Sequence, residues 1–255
     1  MPNRPLFSLL FAGLLLNYCT PQPEKLIQLA YQSESLIIEQ VSAHCWRHES
    51  YMFAMGFGKV ACNGLIYAEG NEAWVFDTPS NPEASQELLG FLTDSLQMQV
   101  KGVVATHSHE DCLAGLDVFH TAQIPSWGYQ LTLAFAEENG KAVPQGSYGT
   151  DTTFTLGDQS FRLWFAGEGH TLDNTVVYIP VDSTLFGGCL VKSLGSGYGY
   201  VGEADVDAWP KTAARILEEF PEVQHVVPGH GRMGNDSLLH FTAELFLAMP
   251  DSLKP

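Results

Sequence analysis

Two histidines and an aspartate follow directly on a short apolar run near the middle of the chain, in the stretch Thr106-His-Ser-His-Glu-Asp-Cys112. The run before it, residues 100–105, has the length and composition of a buried strand. His107, His109 and Asp111 alternate along the turn that follows this strand. Zinc accepts imidazole nitrogen and carboxylate oxygen, and a catalytic site leaves one position open for water. Alone, the stretch fits a catalytic metal site and an exposed polar turn equally well.

From residue 35 onward, short apolar runs alternate with turns and with stretches of helical periodicity. Strands are predicted in the first half at 35–41, 44–51, 73–76 and 100–105. A helix is predicted at 83–96, where leucines recur on one side. The glycine-punctuated stretch 52–58 is predicted to be a hairpin tip, and Cys62-Asn-Gly64 to be a turn. This strand-strand-helix-strand order favours a layered α/β fold.

The second half of the chain repeats this alternation. Strands are predicted at 154–156, 161–165, 175–179, 185–189 and from 225. Helices are predicted at 131–139, 207–220 and 237–247. With 255 residues and 45% hydrophobic content, the chain can bury a large core in one domain. Its net charge of -17 is well spread, which argues against a nucleic-acid partner and is explained by solubility.

Six side chains that ligate metals share one setting, at or just past a predicted strand end and next to glycine or in a loop. They are His107, His109, Asp111, His170, Cys189 and His230. Glycine lets the backbone turn sharply and bring a ligand close to a metal. The remaining histidines lack this setting and are interpreted as surface or packing residues: His44, His48, His120, His225 and His240.

The first twenty residues have the pattern of an export signal. Arg4 precedes an apolar run at 6–16 that is too short to span a bilayer as a mature helix. We therefore expect a signal peptide at 1–19 and, in a Gram-negative cell, a periplasmic location. A mobile leader is expected at 20–34, followed by one domain at 35–255.

The cysteines leave two questions open. Cys19 lies where a lipoprotein carries its acylated cysteine, but Tyr18 occupies a position that normally holds a small residue, so a lipid anchor is one of two outcomes. Cys45 and Cys62 flank a predicted hairpin and either pair in an oxidising compartment or stay as free buried thiols.

Four segments together resemble the class B metallo-β-lactamases of the first, di-zinc subclass. They are Thr106-His-Ser-His-Glu-Asp111, Gly169-His-Thr-Leu-Asp-Asn174, Leu185-Phe-Gly-Gly-Cys-Leu-Val-Lys192 and Pro228-Gly-His-Gly231. They come in the family's order and rough spacing, and the resemblance covers about residues 35–250. It implies an α/β fold, an αβ/βα sandwich of two mixed β-sheets with external helices and the metals at one edge.

The resemblance divides the six candidate ligands between two Zn²⁺ ions. The first would be held by His107, His109 and His170, and the second by Asp111, Cys189 and His230. A water between the ions would have its pKa lowered to roughly 7, and the hydroxide would attack the lactam carbonyl. The implied activity is zinc-dependent hydrolysis of penicillins, cephalosporins and carbapenems by a monomer, which confers antibiotic resistance. The sequence has neither the Ser-x-x-Lys nor the Gly-x-Ser-x-Gly pattern of serine enzymes.

Five residues receive further roles from the matched motifs. Lys192 is expected to bind the substrate carboxylate as a point charge, and Asp111 to orient the nucleophile besides ligating zinc. Asp77, in Asp-Thr-Pro, is expected to brace the metal-binding loop. Tyr200 stands where relatives carry an asparagine that helps hold the lactam carbonyl, so its hydroxyl either replaces that donor or narrows the pocket. Cys112 stands where many relatives have arginine, and is either inert beneath the second zinc or sensitive to oxidation.

Two other functions stay open. The first is a thioesterase of the glyoxalase type, although those enzymes carry aspartate in place of Cys189 and histidine in place of Cys112. The second is a non-catalytic zinc-binding protein. A structural zinc site is closed by four ligands, whereas two sets of three leave positions open for water.

Overall fold

The computed structural model describes residues 29–255. Two mixed β-sheets lie face to face with helices on their outer sides, as predicted. The first sheet has eight strands in chain order: β1 (Leu29–Gln32), β2 (Leu36–Gln40), β3 (Cys45–Ala54), β4 (Gly58–Glu69), β5 (Glu72–Phe76), β6 (Gln99–Ala105), β7 (Ser126–Tyr129) and β8 (Gly146–Tyr148). The second has five, ordered β13-β12-β11-β10-β9: β9 (Asp151–Leu156), β10 (Gln159–Trp164), β11 (Val176–Ile179), β12 (Thr184–Gly188) and β13 (His225–Pro228).

Six α-helices cover the sheets. They are α1 (Pro82–Gly90), α2 (Glu110–Leu113), α3 (Leu116–Thr121), α4 (Gln130–Glu138), α5 (Trp209–Glu219) and α6 (Ser237–Leu247). Three short helical turns complete the structure, a π-helical one at Phe91–Ser95 and 3-10 turns at Pro180–Asp182 and Asp251–Leu253. α1 begins where Asn81 accepts a hydrogen bond from the Ala84 backbone N–H at 2.8 Å and Pro82 occupies the first turn.

Strand direction decides which strand ends meet. In the first sheet, β1 to β5 pair antiparallel, and β5 to β8 pair parallel. In the second, β9 to β12 pair antiparallel, and β12 pairs parallel with β13. Because parallel neighbours end on the same side, the loops after β5 and β6 share an edge, and so do those after β12 and β13.

Three apolar layers hold this arrangement together. The central layer lies between the sheets and includes Phe76 from the first sheet and Phe161 from the second, whose ring centres are 5.1 Å apart. A second layer packs α1 and α3 against the first sheet, around Leu88 and Phe119. A third packs α5 and α6 against the second sheet, where the rings of Trp209 and Phe246 stack. Burying apolar area on both faces of both sheets is the main stabilising contribution.

The predicted turn at Cys62-Asn-Gly64 is wrong, because β4 runs straight through these residues. A Cβ placed on Gly64 would lie 2.1 Å from Nε2 of His48 and 2.7 Å from the carbonyl oxygen of Phe76. Gly64 is therefore required by the close packing of the His48 ring from the neighbouring strand, and not by a change of chain direction. The short strands β7 and β8 were also absent from the prediction.

The predicted leader at 20–34 ends too late. Leu29–Gln32 forms the edge strand β1, which pairs antiparallel with β2, so the domain begins ahead of residue 35. Residues 20–28 of the predicted leader and the signal peptide at 1–19 lie outside the described residues. Within the described residues, none of the helices combines the length and apolarity that crossing a membrane requires.

Candidate metal centre

The ends of the parallel strands β5 and β6 form the first part of the candidate site. At the end of β5, Asp77 has a left-handed backbone with φ of 57°. Its carboxylate accepts hydrogen bonds from the Thr106 backbone N–H at 2.7 Å and the Thr106 hydroxyl at 2.8 Å. Burial raises the pKa of Asp77 to about 7, although the Thr106 bonds act to lower it. Asp77 thus braces the turn that leads directly into His107.

The loop after β10 brings His170 to the same edge. Asn174 closes this loop by donating a hydrogen bond from its side-chain amide to the carbonyl oxygen of Gly167 at 2.8 Å. The backbone N–H of Thr175 donates to the carbonyl oxygen of Thr106 at 2.9 Å. This bond ties the second sheet to the strand that carries the first two histidines.

The ends of β12 and β13 position Cys189 and His230. Gly188 has φ of 52°, and its carbonyl oxygen accepts a hydrogen bond from the Gly229 backbone N–H at 2.6 Å. A Cβ on Gly229 would lie 2.5 Å from Sγ of Cys189. Glycine is needed at this position because the two loops pass so close to each other.

We call His107, His109 and His170 the first group. Their ring centres are 4.6 to 5.0 Å apart, and Nδ1 of His109 lies 3.1 Å from Nε2 of His170. Within the described residues, Nε2 of His107 is buried and has no hydrogen-bond partner. Burial and the neighbouring His109 lower the pKa of His107 to about 4, and burial and His107 lower the pKa of His170 well below its usual range. These two rings are therefore neutral at pH 7, which is the form that binds a metal.

We call Asp111, Cys189 and His230 the second group. Sγ of Cys189 lies 3.1 Å from Oδ2 of Asp111 and 3.3 Å from Nε2 of His230, and Nε2 of His230 lies 3.3 Å from the same carboxylate oxygen. Burial alone would raise the pKa of Asp111, but the hydrogen bond from His230 and the nearby His107 hold it well below its usual range. Burial acts to lower the pKa of His230. The hydrogen bond to Asp111 outweighs burial and raises this pKa to about 10. Burial and Asp111 raise the pKa of the Cys189 thiol well above its usual range.

The structure also locates the remaining cysteines. Cys45 and Cys62 are free and buried, and they face different partners, Tyr67 and Ser50, across their strand pairs, so no disulfide joins them. Cys112 lies 3.0 Å from Nδ1 of His107. It therefore contacts a ligand of the first group, and, besides burial, Asp111 and Cys189 of the second group are also close enough to raise the pKa of its thiol. Burial raises the pKa of its thiol well above the usual range, which favours the inert role over the reactive one.

A cavity of about 640 Å³ opens over both groups, and its wall includes Lys192 and Tyr200. Nζ of Lys192 lies 5.3 Å from the centre of the Trp209 ring, and burial lowers the pKa of its ammonium group. Tyr200 is 48% exposed, and its ring centre is 5.9 Å from that of His109. The tip of the β3–β4 hairpin completes the wall with exposed apolar side chains, of which Met55 is 95% exposed.

Two residues of the site were not found from the sequence. Oε2 of Glu203 lies 2.7 Å from Nε2 of His109, and this hydrogen bond lowers the pKa of the Glu203 carboxyl. It fixes the orientation of the His109 ring and directs Nδ1 toward His170. Cys62 has its sulfur within 4.8 Å of ligand atoms of Asp111 and His230. An isolated glutamate carries no sequence signal. The spacing of Cys62 from Cys45 indicates only a disulfide or a free buried thiol.

The donor set suits zinc. In a tetrahedral site with bonds of about 2.0 Å to nitrogen and 2.3 Å to sulfur, neighbouring donor atoms stand roughly 3.5 Å apart. The donor separations of 3.1 to 3.3 Å within the second group are close to that value. The first group offers imidazole nitrogens, including the buried, unpartnered Nε2 of His107. Imidazole, thiolate and carboxylate together favour zinc over magnesium or calcium.

Comparison with known proteins agrees with this geometry. The model of the metallo-beta-lactamase superfamily matches residues 57–230. The chain is 34% identical to the metallo-beta-lactamase type 2 of Bacteroides fragilis over 214 residues, 84% of this chain and 86% of that protein. It is 30% identical to the metallo-beta-lactamase type 2 of Bacillus cereus, covering 84% of each protein. A solved metallo-beta-lactamase structure from Pontibacter korlensis is 38% identical, with a TM-score of 0.81 over 84% of this chain and all of that one.

Proposed function

The chain belongs to the metallo-beta-lactamase superfamily and is a metallo-β-lactamase, and we propose that it opens the amide bond of β-lactam antibiotics with two zinc ions held by the first and second groups. The observation that carries this proposal is the convergence of six side chains from four separate loops and strand ends, and five of these side chains line one cavity. Both groups share this cavity, so one small substrate reaches both.

The residues divide the task between them. His107, His109 and His170 would hold the first ion, and Asp111, Cys189 and His230 the second. When bound, zinc polarises a carbonyl oxygen and lowers the pKa of a coordinated water toward neutrality. The Asp111 carboxylate lies between the groups, 3.7 Å from Nε2 of His107 and 3.3 Å from Nε2 of His230, where it can orient a nucleophilic water.

The cavity wall supplies recognition. Lys192 is a half-buried cation beside the second group, and it would bind the carboxylate that the bicyclic β-lactams carry next to the lactam nitrogen. Tyr200 faces the first group through His109, where its hydroxyl would donate a hydrogen bond to the lactam carbonyl. The apolar hairpin tip, with Met55 and Phe57, would cover the substrate and displace water from it.

The test is a zinc-depletion assay on purified protein. We expect turnover of a chromogenic cephalosporin and of a carbapenem, loss of both after dialysis against a chelator, and recovery with Zn²⁺ but not with Mg²⁺. Two zinc ions per chain are expected in the active form by elemental analysis.

The same preparation separates the rival functions. Thioester cleavage without lactam turnover would replace the proposal with a glyoxalase-type hydrolase. Zinc binding without turnover of either substrate would leave a metal-binding protein without catalysis.

We also propose that the chain is exported to the periplasm by residues 1–19 and acts there as a monomer. The support is the basic residue Arg4 and the apolar run that follows it at the N-terminus. Mass spectrometry of the mature N-terminus from a periplasmic extract tests cleavage, and a mass increase on Cys19 in the membrane fraction would indicate a lipid anchor. Size-exclusion chromatography with light scattering tests the monomer.

A further inference from the structure

A further sulfur donor, Cys62, lies beside the second group. The sulfur of Cys62, a carboxylate oxygen of Asp111 and a ring nitrogen of His230 all lie within 4.8 Å of one another. Cys62 is only 2% exposed, and its sulfur lies 3.8 Å from the carbonyl oxygen of Val60. A hydrogen bond with the His230 imidazole also holds the thiol on the side of the second group.

The position of Cys62 is set by the strand that carries it. On one side, the carbonyl oxygen of Ala61 accepts a hydrogen bond from Nδ1 of His230 at 2.7 Å. On the other side, the backbone N–H of Asn63 donates to the carbonyl oxygen of Gly229 at 2.8 Å. β4 is therefore hydrogen-bonded to the loop of His230 on both sides of Cys62. The cysteine cannot move away from the second group without breaking these bonds.

The first of these bonds also orients the imidazole. Because Nδ1 of His230 is held by Ala61, its Nε2 faces Cys189 at 3.3 Å and Asp111 at 3.3 Å. Cys62 approaches the same pocket from the strand side, and Cys189 approaches it from the end of β12. Donors therefore reach this region from four elements of the fold: β4, α2 and the ends of β12 and β13.

We propose that Cys62 is a fourth protein ligand of the second metal ion, so that this ion is held by two thiolates, one imidazole and one carboxylate. On binding, the Cys62 thiol releases its proton to solvent and its sulfur lone pair bonds to the metal. This inference rests on the proposed second metal site. A second thiolate makes that site softer and favours thiophilic ions such as zinc over hard cations.

Cobalt spectroscopy tests the assignment directly, since thiolate-to-cobalt charge-transfer absorbance scales with the number of sulfur ligands. The protein is stripped of metal, loaded with two equivalents of Co²⁺ and measured as wild type and as Cys62→Ser. We expect the band per chain to fall to about half in the variant. The affinity of the second ion, measured by competition with a coloured chelator, is expected to fall at least about tenfold.

Two matched variants serve as controls. Cys45→Ser removes a buried free thiol outside the metal-binding groups and is expected to leave the band unchanged. Cys189→Ser is expected to keep about half of the band, because Cys62 would still bind. This second variant also tests the proposal if Cys62→Ser does not fold, which circular dichroism would show.

The outcomes distinguish a failure of the Cys62 assignment from a failure of the proposed second metal site. An unchanged band in Cys62→Ser, or no band in Cys189→Ser, overturns the assignment of Cys62 and leaves the proposed function intact. No sulfur band in the wild type, with cobalt bound, overturns both the Cys62 ligand and the second site as proposed.

Discussion

The two metal-binding groups differ in the charge that they hold before a metal arrives. In the first group, burial keeps His107 and His170 neutral, so these rings are ready to bind. In the second group, Asp111 and His230 form an ion pair, and the Cys189 thiol keeps its proton. A metal at the second group must therefore displace protons, whereas one at the first group need not. The difference teaches that two adjacent metal-binding groups built by one fold can respond very differently to pH and to mutation.

The largest effect is expected from removing a ligand of the first group. His170→Ala takes away one of the three imidazoles of the first group. The loss of metal-assisted charge stabilisation, several kcal/mol, corresponds to a fall in kcat/KM on the order of a thousandfold. Steady-state turnover of a carbapenem measures it, with His240→Ala, an exposed histidine outside the site, as the control. Activity within tenfold of wild type would mean that the first group does not hold the essential ion.

A smaller loss is expected from the second group. Cys189→Ser replaces a thiolate by a hydroxyl, which binds zinc far less well, but it leaves the first group complete. We expect kcat/KM at limiting zinc to fall by roughly a hundredfold, with the second zinc lost first in elemental analysis. Equal losses in Cys189→Ser and His170→Ala would erase the difference between the groups.

The pH dependence of metal affinity tests the difference in charge between the first and second groups without a mutation. His230, with a pKa of about 10, and Cys189, with a pKa well above its usual range, each bind a proton at neutral pH in the metal-free protein. Binding at the second group therefore releases up to two protons from these residues, and a third if Cys62 binds as proposed, and its affinity should fall about tenfold per released proton for each pH unit lowered. The already neutral His107 and His170 predict a smaller fall for the first group. Chelator competition at pH 7.5 and 6.5 measures both affinities, and parallel slopes would contradict the assignment.

Lys192 extends the comparison to substrate binding beside the second group. Lys192→Ala removes the half-buried cation expected to meet the substrate carboxylate. A charge-assisted hydrogen bond of about 1.5 to 3 kcal/mol predicts a rise in KM of roughly tenfold or more, with kcat changed much less. Lys101→Ala, a surface lysine paired with Glu72, is the matched control. A fall in kcat at constant KM would assign Lys192 to the chemistry instead of recognition.

The smallest effect is expected at Tyr200, on the side of the first group. Tyr200 is 48% exposed, and the centre of its ring lies 5.9 Å from the centre of the His109 ring. Tyr200→Asn therefore changes an exposed part of the cavity wall. We expect a shift of a few-fold in kcat/KM that differs between penicillins and carbapenems, in line with the modest value of a single polar contact. Identical kinetics for all substrates would show that Tyr200 does not shape recognition.

The sequence determined the layered fold and the members of both metal-binding groups. Apolar runs that end in glycine or a polar loop marked the strand ends, and the four motifs that contain His107, His170, Cys189 and His230 followed one another in a recognisable order. These features are local, because a strand, a turn and a ligand occupy neighbouring positions in the chain. They could therefore be predicted without knowing how the two halves meet.

The tertiary structure decided what lies between distant segments. It showed that Gly64 makes room for the His48 ring, that Cys112 contacts His107, and that Leu29–Gln32 adds a strand to the sheet. It also placed Cys62 and Glu203 beside ligands that are far from them in sequence. Such contacts, and the pKa values that follow from them, depend on burial and on distances across two packed sheets. No pattern of neighbouring residues encodes these quantities.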